Sequence, residues 1–587
     1  MCGMTITANK DDFQDDPLTI KIDSVTINQK TIQFPHAGVV AIVGGNNVGK
    51  STLLNEINSW IARSPYARDA TSDGLVVTDV DLERQGDRGS LSTWLESHAS
   101  FVEAPSSGFV SQKTTRPLPL NELESLWERE TLGQLASFFV HHSTATDRFE
   151  LVKPISQRPD ISDPPKHPVH ILEDREDVLR EIRQVSRRVF RKDLTLDRLS
   201  GHTQLRVGAT QMEAPPVDAV TSEYRKALSN LPGLATQGDG MKSLIGLLLP
   251  VITASYPIIL IDEPEAFLHP PQAFELGKVL GDIALKREVQ IILATHDRNL
   301  MAGLLSSETT MSVVRLDRNE DVTTADQLSA PEVESLWTDP VMRYSNVLEG
   351  LFHRVVVVAE ADQDCKFYEA AIDAVDETDS LAISPSEILF IPAGGKDGIS
   401  KVVTALRAAN VPVVACVDLD ILDSATKLRA LVAAFGGNWA EFENDYTMAV
   451  HQLRPTDVQW TNGHVLNSIK QVLEPVASQP WDTNVRSLLK PITRTSESGF
   501  QKLKRYGMRT FTGQAEQHAE RLMENLDSLG ICCVREGELE RLAPGIGVSK
   551  GPGWLSAALQ NGSHQGFEAR AHALRILESA RLISARQ

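Results

Sequence analysis

A glycine-rich turn between an apolar run and an amphipathic run constrains the fold of this chain more than any other feature. Residues 38–62 are GVVAIVGGNNVGKSTLLNEINSWIA, a pattern that predicts a buried strand, a tight turn and a helix. This is the setting of a phosphate-binding loop (P-loop), in which glycines let backbone N–H groups face phosphate oxygens. Lys50 is expected to neutralise the β and γ phosphates, and Ser51 to bind Mg²⁺. We therefore predict a nucleotide site formed by Gly44, Asn46, Asn47, Gly49, Lys50, Ser51 and Thr52.

Residues far downstream are predicted to complete this nucleotide site. An apolar strand at 258–261 ends in Asp262, which suits the Mg²⁺ shell, and Glu263, which is placed to polarise the attacking water. A second apolar strand precedes His296 in the run VQIILATHD at 289–297. His296 is expected to contact the γ phosphate, and the alternative is an ordinary exposed histidine at a strand end. The two strands together predict the hydrolytic half of the site.

The segments GGNNVGKS, TQGDGMKS, IILIDEPEAFLHP and ILATHD together resemble the ATP-binding-cassette (ABC) ATPases, in the branch that contains SMC, RecF and Rad50-like proteins. The resemblance implies ATP and Mg²⁺ as cofactors. It also implies that Gly238, Asp239 and Gly240 belong to a signature loop, which caps the γ phosphate bound by the opposite subunit. We therefore expect at least a homodimer formed through two ATPase heads. A charged helix at 176–192 is expected either to contact a second copy or DNA, or to be a solvated surface.

Strands alternate with helices again after residue 349, which predicts a second, mainly parallel sheet. Its apolar strands are expected in HRVVVVAEADQD, SEILFIPAGGKDGI and VPVVACVDLD. Because the carboxyl ends of parallel strands collect functional residues at one edge, acidic side chains are expected to converge there. The candidates are Glu360, Asp364, Asp418 and Asp420.

Crowded carboxylates repel one another, so such a cluster is best explained as a binding site for hard cations. Mg²⁺ or Mn²⁺ would accept these oxygens, and a pair of such ions suits phosphodiester cleavage. Solvated acids at strand ends are the alternative. The sequence therefore predicts a metal-dependent phosphodiesterase site.

The second half of the chain resembles the TOPRIM domain, whose marks are a Glu after one strand and Asp-x-Asp after a later one. Ala361 stands where that family usually has glycine, and PAGGKDGI matches its intervening turn. An ATPase head followed by TOPRIM resembles the layout of the OLD (overcoming lysogenisation defect) family nucleases, to which Gabija nucleases and fused PARIS proteins are similar. The resemblance implies that Glu538, in CCVREGELERL, adds an acid to the metal site. Lys550, in the glycine-rich turn GVSKGPGWL, is expected either to stabilise charge on the phosphate or to be solvated.

The predicted fold is therefore α/β, with an ABC-type ATPase head (P-loop, mixed sheet) followed by a TOPRIM domain. We expect the ATPase domain at 1–345 with an inserted helical segment at about 150–215, the TOPRIM core at 346–470, and a C-terminal region at 471–587 that completes the TOPRIM site. A basic stretch at 484–509 has one acid, Glu497, and is expected either to track nucleic-acid phosphates or to be solvated. Its basic residues are Arg486, Lys490, Arg494, Lys502, Lys504, Arg505 and Arg509.

Composition limits the classes of function. The net charge of −20 argues against nonspecific coating of nucleic acid, which needs many Lys and Arg contacts. There is no run of about 18 apolar residues to predict a transmembrane helix, and the acidic N-terminal run does not resemble a secretory signal. The five cysteines are scattered without CxxC spacing, which suits a reduced cytoplasmic protein.

These features favour a cytoplasmic, ATP-regulated, metal-dependent nuclease that nicks or cuts DNA in anti-phage defence. The same architecture acting on RNA such as tRNA is an alternative, and so is an ATP-dependent sensor or scaffold whose TOPRIM acids do not cleave. We expect no membrane partner. A companion defence protein and an oligomer larger than a dimer stay open.

Overall fold

Runs of Val, Ile and Leu form the central strands of the N-terminal half, because strands covered on both faces need apolar side chains throughout. In the computed structural model, every residue of Gly38–Val43 and of Gln290–Ala294 is buried. Contacts divide the chain into two compact units, Met1–Asp339 and Pro340–Gln587. The residues that the structure describes are 18–45, 47–65, 76–103, 107–111, 116–160, 163–319, 322–338, 346–376, 383–454, 461–478, 481–483, 485–487, 489, 499–546 and 551–584.

The strands of the N-terminal unit are, in chain order, β1 (Thr19–Ile27), β2 (Lys30–Gln33), β3 (Gly38–Val43), β4 (Val77–Gln85), β5 (Ser100–Val102), β6 (Gly108–Val110), β7 (Val140–Ser143), β8 (Ile155–Ser156), β9 (Leu194–Asp197), β10 (His202–Val207), β11 (Ile258–Asp262), β12 (Gln290–Ala294), β13 (Met311–Asn319) and β14 (Val322–Leu328). The main sheet has the strand order β14-β13-β3-β12-β11-β7. Its neighbouring strands are parallel except for β13 and β14. The register places Ile292 opposite both Val40 and Leu260, so the carboxyl ends of β3, β11 and β12 share one edge. The predicted α/β fold with a mixed P-loop sheet is confirmed.

Amphipathic helices cover this sheet. The helix Lys50–Ile61 buries Leu53, Leu54, Ile57 and Ile61, which lie on one face because an α-helix turns once every 3.6 residues. Helices of the N-terminal unit are Lys50–Ile61, Arg88–His98, Leu120–Trp127, Ala136–Phe139, Ala145–Glu150, Pro168–Asp174, Glu176–Phe190, Ser222–Ser229, Asp239–Thr253, Pro270–Arg287, Arg298–Leu305 and Ala330–Thr338.

The insert expected to be helical contains a small sheet as well. β8, β10 and β9 form an antiparallel sheet in that order, because β10 alternates exposed and buried residues, the period of a half-buried strand. The charged helix expected at 176–192 is Glu176–Phe190. Its Arg187 and Arg188 form ion pairs with Asp193 and Glu275 of the same unit. These arginines are therefore already engaged by acids within the N-terminal unit.

The C-terminal unit is built on a fully parallel sheet. Its strands are β15 (Val355–Ala359), β16 (Ile388–Pro392), β17 (Val413–Asp418) and β18 (Ile531–Val534). They lie in the order β16-β15-β17-β18, and each neighbouring pair is parallel. β18 comes from a distant part of the chain and pairs Cys532 with Cys416 of β17. The predicted mainly parallel sheet is therefore present, and a late segment adds its edge strand.

Helices pack on this second sheet and bury its aliphatic strands. The core includes Val355, Val357, Phe367 and Ile576, each of which has no exposed surface. Among the residues that the structure describes, no helix is long and apolar enough to span a membrane. Helices of the C-terminal unit are Asp362–Asp376, Lys396–Ala408, Ala425–Ala434, Glu443–His451, Asn462–Leu473, Gly499–Tyr506, Gln514–Leu529, Pro552–Gln560 and Phe567–Ser584.

Candidate nucleotide site and candidate metal centre

The P-loop lies between β3 and the helix Lys50–Ile61. Its backbone has left-handed conformations at Gly44, with φ of 144°, and at Gly49, with φ of 102°, which glycine adopts without steric cost. Lys50 Nζ donates hydrogen bonds to the carbonyl oxygens of Gly44 and Gly45, at 3.0 and 2.7 Å. The lysine ammonium therefore lies within the loop, where it was predicted to meet phosphate.

Electrostatics in the P-loop favour an anionic ligand with a cation. Burial lowers the pKa of Lys50, and the carboxylates of Glu263, Glu265 and Asp262 act in the opposite direction. Positive and negative side chains thus face one another at the edge where a metal–nucleotide complex would bind. Thr52 lies in the first turn of the following helix, and Asn47 has a left-handed φ of 63°. Asn46 lies outside the described residues.

Ser51 and Asp262, the two predicted Mg²⁺ ligands of the nucleotide site, are in contact. Ser51 Oγ donates a hydrogen bond of 3.0 Å to Asp262 Oδ1. Ser51 follows the P-loop and Asp262 ends β11, so the parallel sheet brings them to the same edge. A hydroxyl and a carboxylate are oxygen ligands of the kind that Mg²⁺ takes in P-loop proteins. Their binding of the ion stays a prediction.

Glu263 and His296 lie next to each other beside this pair. His296 Nδ1 lies 3.7 Å from Glu263 Oε1 and 3.4 Å from Glu265 Oε1. The side chains of Glu263 and His296 are 47% and 52% exposed. Both predicted hydrolytic residues are therefore open to a ligand arriving from solvent.

Glu265 contributes more to the site than its place in the motif indicated. Its Oε1 accepts hydrogen bonds from Thr295 Oγ1 at 2.7 Å and from the His296 N–H at 3.0 Å. Its buried Oε2 has no hydrogen-bond partner among the described residues, and burial raises the pKa of Glu265. Glu265 thus ties the loop after β11 to the loop after β12. In the sequence, only its position two residues after Glu263 indicated that Glu265 lies near the nucleotide site.

The signature-like residues stand at the start of the helix Asp239–Thr253. Gly238 is the N-cap residue, and Asp239 forms an ion pair of 2.8 Å with Lys242. Gly240 is packed closely, because a Cβ there would lie 2.7 Å from the carbonyl oxygen of Phe267. The predicted role of this loop toward the nucleotide of a second copy stays a prediction.

Glu360, Asp418 and Asp420 meet at the carboxyl edge of the parallel sheet. One carboxylate oxygen from each residue lies within 4.8 Å of the others. Glu360 follows β15 and Asp418 ends β17, so neighbouring parallel strands deliver both acids to one edge. The Leu539 N–H donates a hydrogen bond of 3.0 Å to Asp418 Oδ1, which fixes that carboxylate from the segment after β18.

Two lysines supply positive charge to this acidic cluster. Lys396, the first residue of the helix Lys396–Ala408, bonds to Asp420 Oδ1, and its Nζ lies 3.9 Å from Glu360 Oε1. Lys504 Nζ lies 2.6 Å from Asp420 Oδ2. Burial acts to raise the pKa of Asp420, but the hydrogen bonds from both lysines outweigh it and lower the pKa. Sequence patterns gave no sign of either lysine here, because both contacts depend on the folded chain.

The donor set of the cluster fits a hard divalent cation. All of its ligand atoms are carboxylate oxygens, which Mg²⁺ and Mn²⁺ prefer. The buried Glu360 Oε1 has no hydrogen-bond partner among the residues described, and buried polar atoms are usually satisfied. Burial raises the pKa of Glu360, with Lys396 opposing this effect. A cation at this point would both satisfy that oxygen and stabilise the ionised carboxylate.

The remaining predicted residues of this site have different positions. Asp364 is outside the cluster of close carboxylates; its Oδ2 accepts a 2.9 Å hydrogen bond from the Ala361 N–H at the start of a helix. Glu538 immediately precedes Leu539, and its carboxylate lies 3.7 Å from Arg541. Lys550 lies outside the described residues.

Part of the predicted basic stretch forms the helix Gly499–Tyr506. This helix carries Lys504 to the acidic cluster and leaves Lys502 and Arg505 exposed. Arg486 and Arg509 are also exposed, whereas Lys490, Arg494 and Glu497 lie outside the described residues. The described cations therefore include one lysine in the cluster and exposed neighbours on the same helix.

Comparisons with known proteins point to an ATPase. A protein-family model described as "AAA domain, putative AbiEii toxin, Type IV TA system" matches residues 39–302. A curated relative from Thermus scotoductus, named OLD nuclease, is 27% identical over 217 residues. The match covers 35% of this chain and 40% of that relative. The matched region thus spans less than half of the relative's length.

Solved structures show weaker likeness. An Smc head bound to the C-winged helix domain of ScpA is 13% identical, with a TM-score of 0.33, and covers 53% of this chain and 99% of that one. The SMC head domain from Thermotoga maritima is 13% identical, with a TM-score of 0.28 and the same coverage. The TOPRIM part of the resemblance stays a prediction. The family model and the curated relative support an OLD-family ATPase: the chain carries an AAA-type ATPase domain at residues 39–302 and is similar to an OLD nuclease.

Proposed function

We propose that this chain is an ATP-regulated, metal-dependent nuclease, a DNA endonuclease or nickase that acts in anti-phage defence. The observation that carries the proposal is the convergence of Glu360, Asp418 and Asp420 within 4.8 Å, in a chain that also carries an AAA-type ATPase domain. The defensive role rests on the resemblance to OLD, Gabija and PARIS proteins. The name of the curated relative, OLD nuclease, supports the nuclease half.

At the acidic cluster, Glu360, Asp418 and Asp420 would hold Mg²⁺ or Mn²⁺. Such an ion supplies Lewis-acid polarisation of a phosphate oxygen and a water of lowered pKa. The carboxylates position that chemistry, and the Leu539 N–H keeps Asp418 in one orientation. Lys396 and Lys504 form ion pairs with Asp420. Their ammonium groups would therefore lie close to a phosphodiester that binds at the acidic cluster.

Substrate binding would use charge rather than sequence readout. Lys502 and Arg505 are exposed on the helix that carries Lys504, and cations of this kind contact backbone phosphates without reading bases. Because the whole chain has a net charge of −20, a polyanion would be repelled by most of its surface and would bind at such a local basic patch. We therefore expect cleavage to weaken steeply as salt rises.

ATP would act through the P-loop unit. Lys50 and Ser51 would hold the phosphates and Mg²⁺ with Asp262, and Glu263 would orient the attacking water. Gly238, Asp239 and Gly240 would cap the nucleotide of a second copy, which makes a head-to-head homodimer the expected active form. Closure of the heads is the step by which ATP would control the nuclease.

The test is digestion of supercoiled plasmid by the full-length protein with Mn²⁺ or Mg²⁺, with and without ATP. We expect nicks or breaks from wild type and none from Glu360→Gln. Glu369→Gln is the matched control, because Glu369 is exposed on the neighbouring helix Asp362–Asp376 and should leave cleavage unchanged. Lys50→Ala gives the sign of ATP control.

A parallel digestion of tRNA separates the substrate classes. Cleavage of tRNA with intact plasmid would replace DNA by RNA in the proposal. Intact plasmid and intact tRNA under every condition, in a protein that hydrolyses ATP, would favour a sensor or scaffold and reject the nuclease.

A further inference from the structure

Glu263 has a backbone conformation that side chains rarely adopt. Its φ is 44°, in the left-handed region, where a residue with a Cβ is strained. Its N–H donates a hydrogen bond of 3.0 Å to the carbonyl oxygen of Ala294 in β12. The Ala266 N–H in turn donates a hydrogen bond of 3.1 Å to the Glu263 carbonyl oxygen. Each of these bonds holds one of the two peptide planes at the Cα, so contacts that join the two planes would fix their relative rotation.

Arg148 supplies those contacts. Its Nη1 donates a hydrogen bond of 2.9 Å to the carbonyl oxygen of Glu263, and its Nη2 donates to the carbonyl oxygen of Asp262. These two carbonyls belong to the peptide planes on either side of the Glu263 Cα. Because the guanidinium is planar and rigid, one side chain fixes both planes relative to each other. The direction in which the Glu263 carboxylate leaves the backbone is thereby set.

Arg148 is itself held firmly. It is fully buried, and its Nε donates to Ser143 Oγ at 3.3 Å. The helix Asp239–Thr253 touches its backbone so closely that a Cβ on Gly246 would lie 2.1 Å from the Arg148 carbonyl oxygen. Burial lowers the pKa of Arg148 to about 10, while Glu265, Asp262 and Glu263 act in the opposite direction. The group therefore stays charged at neutral pH.

We propose that Arg148 is a positioning residue for ATP hydrolysis, which locks the strained backbone of Glu263 so that its carboxylate faces the attacking water. This rests on the proposed role of Glu263. Arg148 touches neither nucleotide nor water in this scheme. It acts through the two carbonyls and leaves the P-loop contacts of Lys50 and Ser51 intact.

Steady-state ATP hydrolysis by the full-length protein, together with the Kd of a fluorescent non-hydrolysable ATP analogue, tests the proposal. We expect Arg148→Met to lower kcat by about 10- to 100-fold and to leave KM and the Kd of the analogue within about threefold. Arg148→Lys keeps a cation that reaches one carbonyl, so its kcat should lie between those of Arg148→Met and wild type.

Arg287 provides the matched control. Its Nη1 also donates to two backbone carbonyls, those of Val251 and Ile252, at 3.1 and 3.0 Å, and its Nη2 donates to Glu181 Oε2 at 3.1 Å. None of these three partners is a predicted residue of the nucleotide site. Arg287→Met should change kcat by less than about twofold, because it removes a guanidinium from carbonyls that flank no catalytic residue.

The outcomes separate this proposal from the proposed function. A wild-type protein without ATPase activity rejects the ATPase half of the proposed function. An active wild type with an equally active Arg148→Met overturns the positioning role. If Arg148→Met loses affinity for the analogue, Ser143→Ala decides, since it removes only the oxygen that fixes Arg148 Nε. A several-fold fall in kcat at unchanged KM then supports the proposal, and unchanged kcat overturns it.

Discussion

Lys504 Nζ lies 2.6 Å from Asp420 Oδ2, although Asp420 follows β17 and Lys504 comes from the later helix Gly499–Tyr506. The Lys504 ammonium thus holds one oxygen of a carboxylate that a divalent cation at the cluster would use, and Lys396 bonds to the other oxygen. We therefore expect the ammonium and the metal ion to compete for the Asp420 carboxylate. Replacing Lys504 by a neutral residue should therefore raise the affinity of the cluster for a divalent cation.

We expect Lys504→Gln to bind Mn²⁺ up to about fivefold more tightly than wild type, the range set by breaking a partly exposed ion pair. Titration of free Mn²⁺ by electron paramagnetic resonance, without nucleic acid, measures this directly. Lys502→Gln is the control, because Lys502 is exposed on the same helix as Lys504. Equal affinities in all three proteins would show that Lys504 does not compete with the ion.

Glu263→Gln should separate nucleotide binding from hydrolysis. The amide keeps the size of the side chain but cannot polarise water, so we expect kcat to fall by about 100-fold or more with ATP still bound. Trapped ATP should then shift the protein to a dimer, measured by light scattering after gel filtration with ATP and Mg²⁺. Glu288→Gln is a suitable control, since Glu288 also has a positive φ, of 52°, but ends a helix. A Glu263→Gln protein that stays monomeric with ATP bound would contradict dimerisation through the heads.

Asp364→Ala should affect stability rather than metal binding. The Asp364 carboxylate accepts the Ala361 N–H at the start of its helix, and loss of such a cap costs about 1 kcal/mol. We expect a lower Tm and an unchanged Mn²⁺ affinity, whereas Asp420→Ala should weaken Mn²⁺ binding strongly. Loss of Mn²⁺ affinity in Asp364→Ala would instead support the sequence-based prediction that Asp364 is a metal ligand.

Glu265→Gln should change how stability depends on pH. Burial holds the pKa of Glu265 above its unfolded value, so the folded state binds the proton more tightly. The Glu265 side chain therefore adds to the free energy of unfolding when the pH is below the pKa it has in the unfolded chain. This addition is lost as the pH rises through the pKa it has in the folded protein. The glutamine has no charge to bury, so its Tm relative to wild type should rise with pH. Thermal scans between about pH 5 and 8.5 that show a constant difference would count against this account.

Local patterns predicted the parts of both sites that belong to single segments. Gly44, Gly49 and Lys50 occur together because a strand, a turn and a helix follow one another directly. Glu360 and Asp418 could be placed at one edge because each follows an apolar strand of a parallel sheet. Lys504 could not be placed there, because its basic neighbours predict only a charged helix and say nothing of Asp420.

The sequence by itself determined the strand, turn and helix of the P-loop, the two carboxyl edges and the acids that follow their strands, because hydrophobic periodicity and glycine turns act over a few residues. It did not determine the small sheet of β8, β10 and β9 inside the segment that was expected to be helical. Only the tertiary structure decided that Arg148 donates hydrogen bonds to the carbonyls of Asp262 and Glu263, and that the Leu539 N–H donates one to Asp418. Asp364 likewise proved to cap a helix outside the acidic cluster. These contacts join backbone groups to distant side chains. Nearly all residue types share the same backbone N–H and carbonyl groups, so the sequence does not show which of them a distant side chain will contact after folding.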